Sequence, residues 1–331
     1  MKNIYRNARR LGDPMIRLLS AMALAAVVGC GGDDSSSSGG GGATSDGGGA
    51  TGGSGGANLD GGGSGGLGAA AGDASAGSGG ASGSGGANAD AQTGTCPTGL
   101  PGPTLVRVPT LSGGAYCMDA TEVTMAQYEE FLQTAPATTG QPSYCAWNSS
   151  FKSETLNQGY CYTPGKKFDP TGTPDHPVQC VDWCDARAYC EWAGKRLCGR
   201  IGGGSVETTK SADATESEWY NACSQGGKLA YPYGGTYEPQ TCVTTWSAPK
   251  ATSEPPKCEG GFPGLRHLSG NVGEWEDGCS GATGADDVCL HRSGGYNAAE
   301  FGGCDTVVTL KRSFFGDGLG IRCCTDAGGK K

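Results

Sequence analysis

Sixteen of the chain's seventeen cysteines fall between Cys96 and Cys324, and that even set limits the possible folds more than any other feature of the sequence. In an oxidising compartment it reads as a framework of up to eight disulfides, whose pairing cannot be deduced from sequence. Cys323 and Cys324 are adjacent, a spacing that disfavours a mutual bridge, so each is expected to pair elsewhere. A zinc reading has little support. Cys180, Cys184, Cys190 and Cys198 show no CxxC repeat, and His176, His267 and His291 form no HxxxH or HExxH pair. No Gly-x-Ser-x-Gly elbow supports Ser–His–Asp hydrolysis.

The segment before the cysteine-rich region has a different character. Lys2, Arg6, Arg9, Arg10 and Arg17 precede an apolar run from Leu18 to Val28, too short to span a bilayer. It ends Val27-Val28-Gly29-Cys30, which resembles a bacterial lipobox. The expectation is a signal peptide over 1–29, cleavage before Cys30 and lipidation of its thiol. Gly31, rather than Asp, follows the cysteine, which by resemblance to sorted lipoproteins implies the outer membrane. From Gly31 to Thr95, 27 of 65 residues are Gly and there is no Lys, Arg, aromatic or Cys. Such a composition cannot bury a core. Residues 30–95 are read as a lipidated, disordered tether with a root-mean-square reach of about 45 Å.

Residues 96–331 are then one domain, with 19 basic and 26 acidic side chains. A net charge near −7 argues against non-specific nucleic-acid binding, and no second apolar run approaches bilayer length, so the lipid is the one membrane attachment expected. Thr124-Met-Ala-Gln127 has the form of a capping box ahead of Tyr128, Phe131 and Leu132. Further helices are expected over Asp182–Ala193, ending at Gly194, and Glu216–Ser224. Strands are expected over Thr104–Pro109, Ala115–Asp119, Thr306–Phe314 and Leu319–Cys324. Composition and pattern together give an irregular, disulfide-rich α+β domain.

Its organising stretch is Leu265-Arg-His-Leu-Ser-Gly-Asn-Val-Gly-Glu-Trp275. Gly270-Asn271 is a tight-turn dipeptide, and Trp275 is suited to anchor the turn in a core while its indole N–H finds a backbone partner. Asn271 and Glu274 place a carbonyl and a carboxylate three residues apart. Two readings are open: they hold Ca²⁺ with backbone carbonyls, or they hydrogen-bond the turn.

Ser269-Gly-Asn-Val-Gly-Glu-Trp275 resembles the Gly-Asn-Val-Trp-Glu-Trp signature of the formylglycine-generating (sulfatase-modifying factor) enzyme family, with Gly273 where that family has Trp. Other stretches match in the family's order: Met118–Leu132, His176–Trp183, Asp185–Leu197, Arg292-Ser-Gly-Gly-Tyr296 and Gly320-Ile-Arg-Cys323. The resemblance implies a C-type-lectin-like α+β fold with little regular structure, and it strengthens the Ca²⁺ reading at Asn271 and Glu274. In active members two cysteines beyond the Arg-Gly-Gly-Ser motif bind Cu(I), since soft thiolates select that ion, and a substrate cysteine is oxidised to formylglycine. Here the first position falls near Ala298 and the second at Gly303, with Cys304 one residue beyond and Gly295 in place of the family's Ser. Cys304 is either a displaced catalytic thiol or half of a disulfide. Copper is therefore not expected. The function expected is a surface-anchored binding or scaffold module for an exported protein, peptide or glycan, the alternative being a divergent oxidoreductase acting on exported peptides.

Overall fold

Among the described residues, three short α-helices are each set by a side chain that satisfies their first free N–H groups. The computed structural model describes residues 94–152, 161, 168–292, 294–299 and 302–328, all within one compact unit. The signal segment, Cys30 and the tether up to residue 93 lie outside the described residues, whereas the Gly94 and Thr95 carbonyls accept from Arg107 Nε and the Gly328 N–H. Helix α1, Met125–Gln133, opens on the expected capping box: Thr124 Oγ1 accepts from the Gln127 N–H at 3.3 Å and Gln127 Oε1 accepts from the Thr124 N–H at 3.0 Å. Helix α2, Trp183–Trp192, uses Asp182 and Asp185 in the same reciprocal way, at 2.9 and 3.3 Å. Helix α3, Glu218–Ser224, begins two residues later than the sequence suggests because Ser217 is its cap, accepting from the Tyr220 N–H at 3.0 Å.

Eight strands among the described residues form two four-stranded sheets. The first sheet runs β1 (Leu105–Pro109), β2 (Ala115–Asp119), β8 (Cys323–Asp326) and β3 (Arg196–Leu197), antiparallel throughout. The second runs β6 (Val307–Lys311), β5 (Val288–Arg292), β4 (Gly273–Cys279) and β7 (Leu319–Gly320), with β4 and β7 parallel. The strand expected over Leu319–Cys324 is two strands, one in each sheet, with Ile321 and Arg322 crossing between them. β4 and β5 have no counterpart among the sequence expectations. β4 reads Gly-Glu-Trp-Glu-Asp-Gly-Cys, and its first four residues are all buried, so there is no alternation of apolar and polar residues to find.

One core cluster joins Tyr128 and Phe131 of α1, Trp183, Ala186 and Tyr189 of α2, Trp275, Leu319 and Ile321. A second joins Val108, Tyr116 and Met118 to Trp219, Leu265 and Leu268. Eight disulfides connect these parts and use all sixteen cysteines from Cys96 onward. Cys323 and Cys324 do pair separately, with Cys190 on α2 and with Cys198 after β3. These two bridges close 133- and 126-residue separations and Cys223–Cys304 closes 81. In the chain-entropy account each contributes roughly 4.5–5 kcal/mol.

Candidate functional site

The Leu265–Trp275 stretch enters β4 through a turn with positive φ at Gly270 (83°) and Asn271 (60°). Gly270 is required by space as well as by φ, because a Cβ there would lie 2.5 Å from the Val243 carbonyl oxygen. Asn271 is fully buried and reads the backbone of Lys250 at both ends: Oδ1 accepts from its N–H at 2.8 Å and Nδ2 donates to its carbonyl at 3.3 Å. Its own carbonyl accepts from the Tyr296 N–H at 2.7 Å, so this one residue joins three loops. Trp275 is 1% exposed and its indole N–H donates to the Val181 carbonyl at 3.0 Å, as its size and single donor predict.

Glu274 and Glu276 each hold a buried arginine. Glu274 Oε1 accepts from Arg322 Nε at 2.8 Å and Oε2 from the Trp219 indole at 2.6 Å. Arg322 Nη1 and Nη2 donate to the Asp119 and Arg266 carbonyls, both at 2.7 Å, and Nη2 also lies 2.8 Å from Glu274 Oε1. Glu276 accepts from Arg292 Nε at 2.8 Å and from Ser217 Oγ at 2.9 Å, and the Arg292 guanidinium lies 5.0 Å from the centroid of the Trp219 ring. Arg292 and Arg322, the arginines of the two C-terminal motifs, are therefore structural ties to adjacent inward carboxylates of one strand.

Ca²⁺ does not fit the Asn271–Glu274 pair. Both Glu274 oxygens already accept from N–H donors, Arg322 supplies the positive charge beside them, and Asn271 Oδ1 is taken by the Lys250 N–H. A Ca²⁺ site needs six or more free oxygens around the ion. Of the two readings of this pair, hydrogen bonding of the turn matches the geometry.

The Cu(I) positions are equally specific. Cys304 is bonded to Cys223 of α3, and Cys279 and Cys289 are bonded to each other across β4 and β5. Of the two roles open to Cys304, the structure has the disulfide, and the thiol role is lost with it. Ala298 and Gly303 offer no sulfur. Among the described residues the one acidic, Cys and His cluster with metal-like spacing is Cys198, Glu218 and Cys324. There the two sulfurs are bonded to each other, while Glu218 accepts from Arg196 and from the Gly199 N–H. The histidines do not converge either. His267 is buried and His291 half-buried, and each is pushed down to about 3, chiefly by desolvation and then by neighbouring arginines. His176 is lowered as well, first by burial.

Gly273, at the family's Trp position, is explained by its neighbours. A Cβ on it would lie 2.6 Å from the Arg292 carbonyl and 2.8 Å from His291 Nε2, and the His291 ring packs edge-on against Trp275. The imidazole has taken the space beside the strand. Sequence reasoning missed Glu122, in the Met118–Leu132 stretch. It is fully buried, and among the described residues neither carboxylate oxygen has a hydrogen bond of normal distance and angle, although the Asn271 amide lies close enough to lower its pKa slightly. Burial pushes it up to about 8, with Arg322 opposing and Glu274 adding to the rise. Nearby, Asp119 is pushed up to about 6 by burial although Lys195 Nζ donates to it at 2.6 Å.

A model of the sulfatase-modifying factor enzyme 1-like domain matches residues 103–327, about two thirds of the chain. The chain belongs to this family. The sulfatase-modifying factor domain here is 27% identical over 198 residues to the formylglycine-generating enzyme of Bos taurus, covering 49% of this chain and 48% of that protein. It is 30% identical over 175 residues to the inactive C-alpha-formylglycine-generating enzyme 2 of Bos taurus, covering 46% and 52%. The chain thus spans about half the length of the curated relatives it matches. Among solved structures, PvdO from Pseudomonas aeruginosa aligns at 14% identity over 68% of this chain and 92% of its own, with a TM-score of 0.40. The disulfide-rich α+β class read from the sequence is that of this sulfatase-modifying factor domain.

Proposed function

We propose that this sulfatase-modifying factor domain is a binding or scaffold module without copper-dependent oxidase activity, displayed on a tether lipidated at Cys30 and delivered to the outer membrane. The observation that carries the reading is the Cys223–Cys304 disulfide. The oxidase chemistry of the family needs two neighbouring thiolates, and the only sulfur in the Arg292–Cys304 segment is committed to that bridge. Gly295 and Ala298, in place of the family's Ser and first Cys, support the same reading. The acidic balance of the domain fits exported protein, peptide or glycan partners better than nucleic acid.

The test is to incubate the purified protein with Cu(I), O₂ and a cysteine-containing sulfatase-type peptide and to look for formylglycine by mass spectrometry. No aldehyde is expected. Formylglycine formation, together with a Cu(I)–thiolate signature that disappears in Cys304→Ser, would reassign the protein as a divergent oxidoreductase. The anchor is tested separately. Cys30→Ala is expected to release the protein from membranes, and an unacylated mature terminus elsewhere would contradict it.

A further inference from the structure

The segment Ala230–Ala248 lies against the stretch where active relatives place their copper. The Cys304 N–H donates to the Ala230 carbonyl at 2.8 Å, and the Trp246 N–H donates to the Tyr296 carbonyl at 2.7 Å. Between those two anchors the chain carries Tyr231, Tyr233 and Tyr237. Tyr231 and Tyr233 are stacked, with centroids 5.6 Å apart and planes 16° apart, and Tyr237 meets Tyr231 at 5.9 Å with its plane turned 52°. All three rings are partly exposed, and they form an aromatic corner open to solvent.

Two features make this corner a built surface. It is rigid. Tyr231 and Gly234 exchange backbone hydrogen bonds at 2.9 and 3.1 Å, the Pro232 carbonyl accepts from the Gly261 N–H at 2.7 Å, and the Cys242–Cys258 bridge fixes the segment's far side. Such preorganisation lowers the ordering cost of binding. The second feature is its charge. Across residues 230–248 the only charged side chain is Glu238, while Thr236 and Thr245 are exposed and Thr244 Oγ1 is 2.8 Å from the Tyr237 hydroxyl. Apolar ring faces on a segment that carries exposed hydroxyls and one charged side chain suit a ligand that has flat C–H faces and neutral hydroxyl edges.

Resting on the binding-module reading, we infer that the Tyr231–Tyr233–Tyr237 corner binds a neutral saccharide, with pyranose rings stacked on the tyrosines and their hydroxyls bonded to the threonine rim. Isothermal titration of the full-length protein with cellohexaose, chitohexaose and mannohexaose is expected to show saturable binding of at least one. Tyr231→Ala and Tyr233→Ala should each weaken it about tenfold, the worth of one aromatic contact. Tyr233→Phe, which keeps the ring, should retain it. If an alanine variant loses its near-UV circular dichroism, Tyr233→Leu keeps the volume without the ring, and it too should lose binding. Absence of binding to all three saccharides, or equal binding by the ring-less variants, overturns the inference. So does binding of a decaproline peptide at these rings when none of the three saccharides binds. These failures leave the non-catalytic reading standing, whereas formylglycine production sinks that reading by a separate assay.

Discussion

Replacing Glu122 by Gln should stabilise the protein, and by an amount that grows with pH. The carboxyl group is fully buried without a hydrogen bond of normal distance and angle and is pushed from 4.5 up to about 8, first by burial. In the unfolded chain it ionises near its ordinary value. Its contribution to stability is therefore fully present below pH 4.5 and is lost as pH rises through about 8. Each pH unit in that window removes about 1.4 kcal/mol, so by pH 7 the wild-type protein has lost roughly 3 kcal/mol on this account. Glutamine is nearly isosteric and does not titrate. The assay is guanidinium unfolding with disulfides intact, for both proteins, between pH 5 and pH 8. The stability difference should be small at pH 5, reach roughly 3 kcal/mol at pH 7 and level off near pH 8. Parallel pH curves for the two proteins would refute the reasoning, because they would mean that Glu122 titrates alike in both states.

Other outcomes follow from the same structure. His267 and His291 are held neutral with values near 3, so they remove stability as pH falls from about 6.5 toward 3, and His291→Phe should flatten that acid limb in the same unfolding assay. Gly273→Ala should cost about 1–3 kcal/mol by chemical denaturation, because its Cβ meets the Arg292 backbone; no loss would mean that β4 and β5 are not so closely apposed. Removing the 81-residue bridge with Cys223→Ser and Cys304→Ser together should cost roughly 3–5 kcal/mol. Chelator and added Ca²⁺ should leave the thermal midpoint unchanged. A rise with Ca²⁺ that is lost in Glu274→Gln would restore the ion at that turn.

The helices were legible because their signals are local. Thr124 with Gln127 lies within one turn, and the reading of α2 from Asp182 to Gly194 rests on residues beside one another in sequence. The anchoring role of Trp275 was legible for a similar reason, since a large ring with one donor has few ways to be buried. β4 was not legible. Its inward Glu274 and Glu276 look like surface residues until Arg322 and Arg292 arrive from 48 and 16 residues away. Disulfide pairing is non-local in the same sense, and so is the isolation of Glu122, which depends on what the fold leaves out of reach. The motif comparison located the site, but the commitment of each Glu274 oxygen, which decides against Ca²⁺, is a matter of geometry alone.

The most direct test of the account is a disulfide map of the unreduced, metal-free protein, alkylated under denaturing conditions and digested for mass spectrometry. The account predicts a linked Cys223–Cys304 peptide and no alkylated cysteine from Cys96 onward. An alkylated Cys304 would contradict it, because a free thiol beside Gly303 would return to the domain the sulfur that the family's copper chemistry requires.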